Sequence, residues 1–240
     1  MVEGATLLGE ALSAGSRIEA VFVAPAVGAA GVGPAPEVVR AWDAGIRVYD
    51  LEPGVIERIA ATVTPQPVLA IVGMTAMELE TLRPPGPVVV CVDVRDPGNL
   101  GTVLRSAEAA GSAGVICCDG TVDVYNPKCV RASAGALFHV PVVAGGAPVT
   151  VLEALQRGGW VRLGTAAGAG EAYTDADLTR PVAFVLGNEA NGLPDELVAC
   201  LDGLVHVPMQ GRTESLNVGM ACAVLCFEAA RQRRATVVAP

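Results

Sequence analysis

Three segments of this 240-residue chain place polar side chains directly after apolar, strand-like stretches. The first, DVRDPGNLGTVLRSAEAAG, holds Asn99 and Arg105. The second, VLGNEANGLPDEL, puts Glu189 beside Gly187 and Asn188. The third, VHVPMQGRTESLNVGMACAVLCFEAARQRR, carries Ser215, Leu216 and Asn217 into an apolar run. Together they offer amides, a guanidinium, a carboxylate and a hydroxyl, the groups of a polar ligand site. Open parallel sheets bind ligands at the carboxyl ends of their strands, where all three segments fall. Gly187 permits close backbone approach, and a helix entered at Asn217 presents free N–H groups.

Each segment also has a plain local reading. Asn99 could simply cap a helix, and so could Ser215 or Asn217. Arg105 lies six residues, about 600° of helix, beyond Asn99, so the two need not share a face. Glu189 and Asn191 fit a polar loop with Asp195 in the following first turn, although a carboxylate beside a strand end is an odd choice for a turn.

Other chemistries lack their signals. The chain contains no GxxxxGKS/T loop and no GxGxxG after a strand. AAGAGEAY at 166–173 has glycines in the wrong spacing. This counts against a nucleotide-driven or dinucleotide enzyme, and against the common Rossmann-like methyltransferase. The seven cysteines form no CxxC pair, and their odd number fits poorly with a disulfide framework. Most sit in apolar segments and read as small core residues. His139 and His206 are far apart in sequence, so no metal site is expected.

The elements that must position these residues alternate helix and strand. Helices are expected over 4–14, 37–43 and 55–61, and strands over 20–24, 46–49 and 68–72. The stiff segment MTAMELETLRPPGP then breaks the pattern, placing a boundary within 75–87. Beyond it, strands are expected at 88–94, 115–118, 137–143, 161–165, 182–186 and 204–207. Helices are expected at 99–110, 127–136, 149–156, 194–200 and 217–231. The nearly continuous apolar run 88–94 suits a strand covered on both faces. The run Val218 to Phe227 is expected to be buried on most sides. The order implies a small α/β domain over 1–80 and a parallel-sheet α/β domain over 87–240.

Composition supports a large core built mainly from Val, Ala and Leu: 52% of residues are hydrophobic and only 4% aromatic. No apolar run reaches membrane-spanning length, and the N-terminus carries acids where a signal peptide carries positive charge. The expectation is a soluble, cytoplasmic protein. The net charge of −9 weighs against indiscriminate nucleic-acid binding. Local basic patches are Lys128 with Arg131, Arg212, and the Arg231, Arg233, Arg234 group.

The three segments together resemble the three motifs of the SpoU-type RNA 2′-O-ribose methyltransferases of the SPOUT superfamily. DPGNLGTVLRSAEAAG resembles the first motif, FVLGNEANGLP the second and VPMQGRTESLNVGMACAVLCFE the third, in matching order. Residues 3–72 resemble the small L30e-like domain that often precedes this catalytic domain and binds RNA substrate. Relatives commonly carry a basic stretch before VEG, which is absent here, consistent with a truncated or naturally short chain.

The resemblance implies a trefoil-knotted α/β domain, S-adenosyl-L-methionine as cofactor and transfer of its methyl group to a ribose 2′-hydroxyl. It implies catalytic roles for Asn99, Arg105, Glu189, Ser215 and Asn217. Thr165, Leu186, Gly187, Val207, Met209 and Leu216 are implied as cofactor contacts. It implies a homodimer with RNA as partner and no metal. Arginine stays protonated in proteins, so Arg105 is expected to bind a phosphate and stabilise developing alkoxide, with Glu189 orienting it or accepting from substrate. Ribosomal RNA is expected over transfer RNA, because the amino-terminal module resembles a ribosomal-protein fold. The alternatives are a transfer-RNA 2′-O-methyltransferase, a SPOUT enzyme acting on a base nitrogen, a non-catalytic RNA-binding protein of the same fold, and an unrelated doubly wound small-molecule enzyme.

Overall fold

Leu7, Leu8 and Ala11 fall on one helical face, and covering that face organises the amino-terminal part of the chain. The computed structural model describes residues 1–25, 34–60, 62–74 and 77–238. Ala61, the expected end of the third helix, and Thr75 and Ala76, at the expected boundary, lie outside the described residues. The chain divides into two units, Met1–Thr75 and Ala76–Pro240.

In the first unit the elements are β1 (Val2–Glu3), α1 (Ala5–Ser13), β2 (Ile18–Val23), α2 (Pro36–Asp43), β3 (Val48–Asp50), α3 (Ile56–Ile59) and β4 (Val68–Val72). They build a four-stranded mixed sheet of order β1-β4-β2-β3. Here β4 runs antiparallel to β1 and β2, while β3 runs parallel to β2. Pro36 opens α2, where its missing N–H costs nothing.

The second unit contains β5 (Val88–Cys91), α4 (Pro97–Ala109), β6 (Gly114–Cys117), α5 (Pro127–Ala132), β7 (Val142–Ala144), α6 (Pro148–Arg157), β8 (Val161–Thr165), β9 (Glu171–Ala172), β10 (Val182–Leu186), α7 (Asp195–Val198), β11 (Gly203–His206) and α8 (Val218–Val238). Its seven strands form one sheet, β7-β6-β5-β10-β8-β11-β9, with every pairing parallel. All residues of β5, β6 and β10 are buried, as expected for strands covered on both faces. One face packs residues such as Val89, Leu104, Phe184 and Leu225. The other packs Val90, Ile116, Leu152 and Trp160. The α/β fold class read from the sequence is therefore present.

Several boundaries differ from expectation for local reasons. The first strand of the second unit stops at Cys91 rather than Val94, because Asp93 adopts left-handed backbone, φ 54°. The helix expected over 127–136 ends at Ala132, since Ala134 and Gly135 both take positive φ. Six cysteines are buried and Cys200 is half-buried. Burial pushes the thiols of Cys117, Cys118 and Cys129 up to about 12, so they stay protonated.

The apolar stretch entering α8 is only partly covered. Cys222, Leu225, Cys226 and Ala229 are buried, but Met220 and Phe227, seven residues apart on one face, remain exposed.

Two glycines set the helix spacing. A Cβ at Gly101 of α4 would lie 2.4 Å from Ala132 Cβ and 2.7 Å from the Cys129 carbonyl. A Cβ at Gly219 of α8 would lie 2.6 Å from Thr102 Cγ2. Thus α4 is held at backbone distance from both neighbours.

Candidate active site

The strand order places the ends of β5, β10, β8 and β11 side by side, and the loops that follow them meet. Pro97 occupies the first position of α4, and the carboxylate of Asp96 caps the helix by accepting from Asn99 N–H at 2.9 Å. The cap is therefore Asp96, not Asn99. Asn99 is freed to reach outward: its Nδ2 donates to Glu189 Oε1 at 2.9 Å. Asn217 Nδ2 donates to Asn99 Oδ1 at 2.8 Å, and Asn217 Oδ1 accepts from Gly219 N–H at 3.0 Å, capping α8.

This relay has one consistent polarity. An ionised carboxylate only accepts, so Asn99 must turn its Nδ2 toward Glu189 and its Oδ1 toward Asn217. Burial pushes the Glu189 carboxyl up. Hydrogen bonds from the Asn99 side chain and from the backbone N–H groups of Glu189, Arg95 and Asp96 outweigh it, holding the group below its ordinary value. Glu189 is ionised at neutral pH.

Asn99, Thr165, Gly187, Glu189, Val207, Met209, Ser215, Leu216 and Asn217 line one cleft of about 700 Å³. Two residues implied by the resemblance do not line it. Leu186 is wholly buried at the end of β10. Arg105 lies exposed on α4 outside the cleft, and the carboxylate oxygens of Glu189 accept from Asn99 and, at 3.5 Å, from Arg95 N–H rather than from Arg105. A Cβ at Gly187 would fall 2.4 Å from Gly192 backbone atoms and 2.7 Å from Leu193 N. Closure of the 187–192 loop on itself thus already demands glycine there.

The family model for the SpoU rRNA methylase family matches residues 86–227. This chain belongs to that family. A second model, the MRM3-like substrate binding domain, matches residues 1–70. The SpoU chain is 34% identical to the 23S rRNA (guanosine(2553)-2′-O)-methyltransferase RlmP of Bacillus subtilis, over 95% of this chain and 86% of that protein. It superposes on the crystal structure of the SpoU methyltransferase AviRb from Streptomyces viridochromogenes with a TM-score of 0.84 at 28% identity, covering 98% of this chain and 90% of that one. An AdoMet-bound rRNA methyltransferase from Sinorhizobium meliloti gives a TM-score of 0.81 at 31% identity, covering 96% and 86%.

The cleft of this SpoU chain also holds residues that the sequence reading did not assign to the site. His206, at the end of β11, lies in the wall, and its Nδ1 is buried with no hydrogen-bond partner among the described residues. Glu214 and Asn188 line the same space. Position after a strand end was the available signal for Asn188 and His206. Asp93 and Arg95 matter through partners about 95 residues away, which spacing does not reveal.

The cleft fits S-adenosyl-L-methionine by its chemistry. Leu216, Val218 and Leu225 give it an apolar wall, while Glu189 and Glu214 provide carboxylates for a cationic ligand. The uncommitted Nδ1 of His206 adds polar capacity to that wall.

Proposed function

We propose that this chain is an S-adenosyl-L-methionine-dependent methyltransferase that modifies a ribose 2′-hydroxyl in ribosomal RNA. The observation that carries the reading is the bonded line Glu189–Asn99–Asn217 along the edge of a cleft of about 700 Å³. It joins the loops of all three family motifs.

Bound there, S-adenosyl-L-methionine supplies a methyl group made electrophilic by its sulfonium. The protein's task is to hold the hydroxyl in line with that methyl and to manage its proton. Asn99 spends one Nδ2 hydrogen on Glu189 and keeps the other for the substrate. Glu189 Oε2, which Arg95 N–H approaches only to 3.5 Å, accepts from the ribose. Arg105, exposed on α4, binds a neighbouring phosphate and stabilises charge developing on the sugar oxygen. Thr165, Leu186, Gly187, Val207, Met209 and Leu216 remain the cofactor assignment, with Leu186 acting through the strand end it anchors. Ser215 faces cofactor or ribose.

The first unit grips the RNA substrate, a reading supported by its match to a substrate-binding domain model and by its L30e-like pattern. Knotted threading of the second unit belongs to the same reading. The exposed Met220 and Phe227 of α8 support a homodimer. Among the described residues no helix is long and apolar enough to cross a membrane. A cytoplasmic location follows from the ribosomal substrate.

The test is methyl transfer from radiolabelled cofactor to ribosomal RNA. Label retained in alkali-resistant dinucleotides is expected, since 2′-O-methylation blocks strand cleavage there. Label found only in a base or only in transfer RNA, or absent from RNA altogether, overturns the reading.

A further inference from the structure

The residue before Glu189 uses its whole side chain. Asn188 Oδ1 accepts from Ala190 N–H at 3.0 Å and Asn191 N–H at 3.1 Å, folding the loop around itself. Its backbone pairs with Gly192 in both directions. Its Nδ2 leaves the loop and donates to Asp93 O at 2.9 Å and Asp93 Oδ2 at 3.2 Å. All four hydrogen-bonding positions of the amide are committed.

Asp93 is prepared for this partner. It holds left-handed backbone at φ 54°, a conformation L residues adopt at a cost. That turn aims both its carbonyl and its carboxylate at Asn188. Its other carboxylate oxygen accepts from Arg95 Nε at 2.9 Å, and Arg95 N–H faces Glu189. Asn188 directly precedes Glu189, and Asp93 lies six residues before Asn99, so each stands on the loop that delivers one of the two bonded side chains.

We propose that Asp93 and Asn188 form a clamp that fixes the distance between the first and second motif loops and so positions Glu189 against Asn99. Both are positioning residues and neither touches the reacting atoms. The proposal rests on the methyltransferase reading above. Without the clamp, the contacts of Glu189 to the first loop among the described residues run through its own side chain, and a misplacement of about 1 Å is enough to lose roughly 100-fold in rate.

The test exchanges donor and acceptor. Asn188→Asp keeps the shape and the two accepted bonds but sets a carboxylate against Asp93 O and Oδ2. Asp93→Asn keeps an acceptor for Asn188 and suits the left-handed backbone. We expect N188D to lower kcat roughly 100-fold with RNA KM changed less than about 3-fold. N188D/D93N, which turns an amide donor toward the new carboxylate, should recover at least about 10-fold over N188D. Hydrogen exchange at residues 92–95 and 188–192 should accelerate in N188D and slow again in the double variant.

Asp93→Gly covers the case in which N188D does not fold. Glycine relaxes the positive φ yet removes the carboxylate, so kcat should fall while the melting temperature does not. A wild-type enzyme that methylates RNA alongside a fully active N188D, or a double variant no better than N188D in rate and exchange, overturns the clamp. A wild-type protein inactive on RNA overturns the methyltransferase reading instead, and the exchange pattern then still decides whether Asp93 and Asn188 hold the two loops together.

Discussion

Asn99 Nδ2 and Glu189 Oε1 lie 2.9 Å apart although 90 residues separate them in the chain. The bond favours the ionised glutamate, and it helps keep the carboxyl below its ordinary value. Glu189→Gln removes the charge and offers Asn99 a donor or an acceptor of unfixed direction. Methyl transfer should fall about 10²- to 10³-fold, with cofactor affinity from calorimetry within a few-fold. Because the folded carboxyl is depressed, its ionised form survives until pH falls through that lowered value. Activity should therefore hold across neutral and mildly acidic pH and fail on the acid side. In Asn99→Ala the acid limb should move to higher pH.

Arg105 lies outside the cleft, and its expected partner is RNA. Arg105→Ala should reduce kcat by about 10²-fold or more while cofactor affinity stays near wild type. Titration calorimetry beside single-turnover assays separates the two. Near-normal turnover would remove Arg105 from the mechanism.

Binding a polyanion to a chain of net charge −9 calls for local cations. Lys128 and Arg131 are exposed on one face of α5, three residues apart, and Lys128 Nζ reaches Asp96 at the entrance to α4. Replacing both with Ala should weaken RNA binding. It should also flatten the plot of log affinity against log salt by about 0.7–0.9 for each phosphate that is no longer neutralised. An unchanged slope would place the RNA elsewhere.

Arg162 is the one buried charged residue among the described residues, and Asp202 receives it through two guanidinium bonds and Arg162 N–H. Asp202→Ala strands that guanidinium. The cost should be about 2–3 kcal/mol, below the range for fully enclosed pairs because Asp202 is 40% exposed. The Arg162 hydrogen bonds hold the Asp202 carboxyl below its ordinary value. Its stabilising contribution is thus complete above the unfolded-state value and is lost as pH falls through the folded one. Urea melts of the variant and wild type should therefore differ at pH 7 and draw together only as pH falls through the lowered folded-state value.

The sheet was legible because β5, β6 and β10 are short apolar runs bounded by turn residues, and burial on both faces leaves that mark. The three polar loops were visible for the same reason, as interruptions. Their meeting was not, since it depends on β10 lying between β5 and β8, an order that no local pattern encodes. Asn99 shows the limit at one residue. Asp96 and Asn99 are both competent caps, and Pro97 favours Asp96, because proline prefers the first helical position. Only with the cap assigned does the Asn99 side chain become available. The two-residue β9 is too short to leave a periodicity. The exposed Met220 and Phe227 defeated a reading by hydropathy, which counts apolar residues but does not know which face is covered.

Gly101 and Gly219 leave no room for a single methyl group between α4 and the helices beside it. The shelf bearing Asn99 is therefore gauged by two hydrogen atoms. Surface loops and substrate preference are free to diverge around it, but an alanine at either point would pry the shelf away from α5 or from the helix that Asn217 caps. The tolerance of the site is set far more tightly by these two silent positions than by the reactive side chains they support.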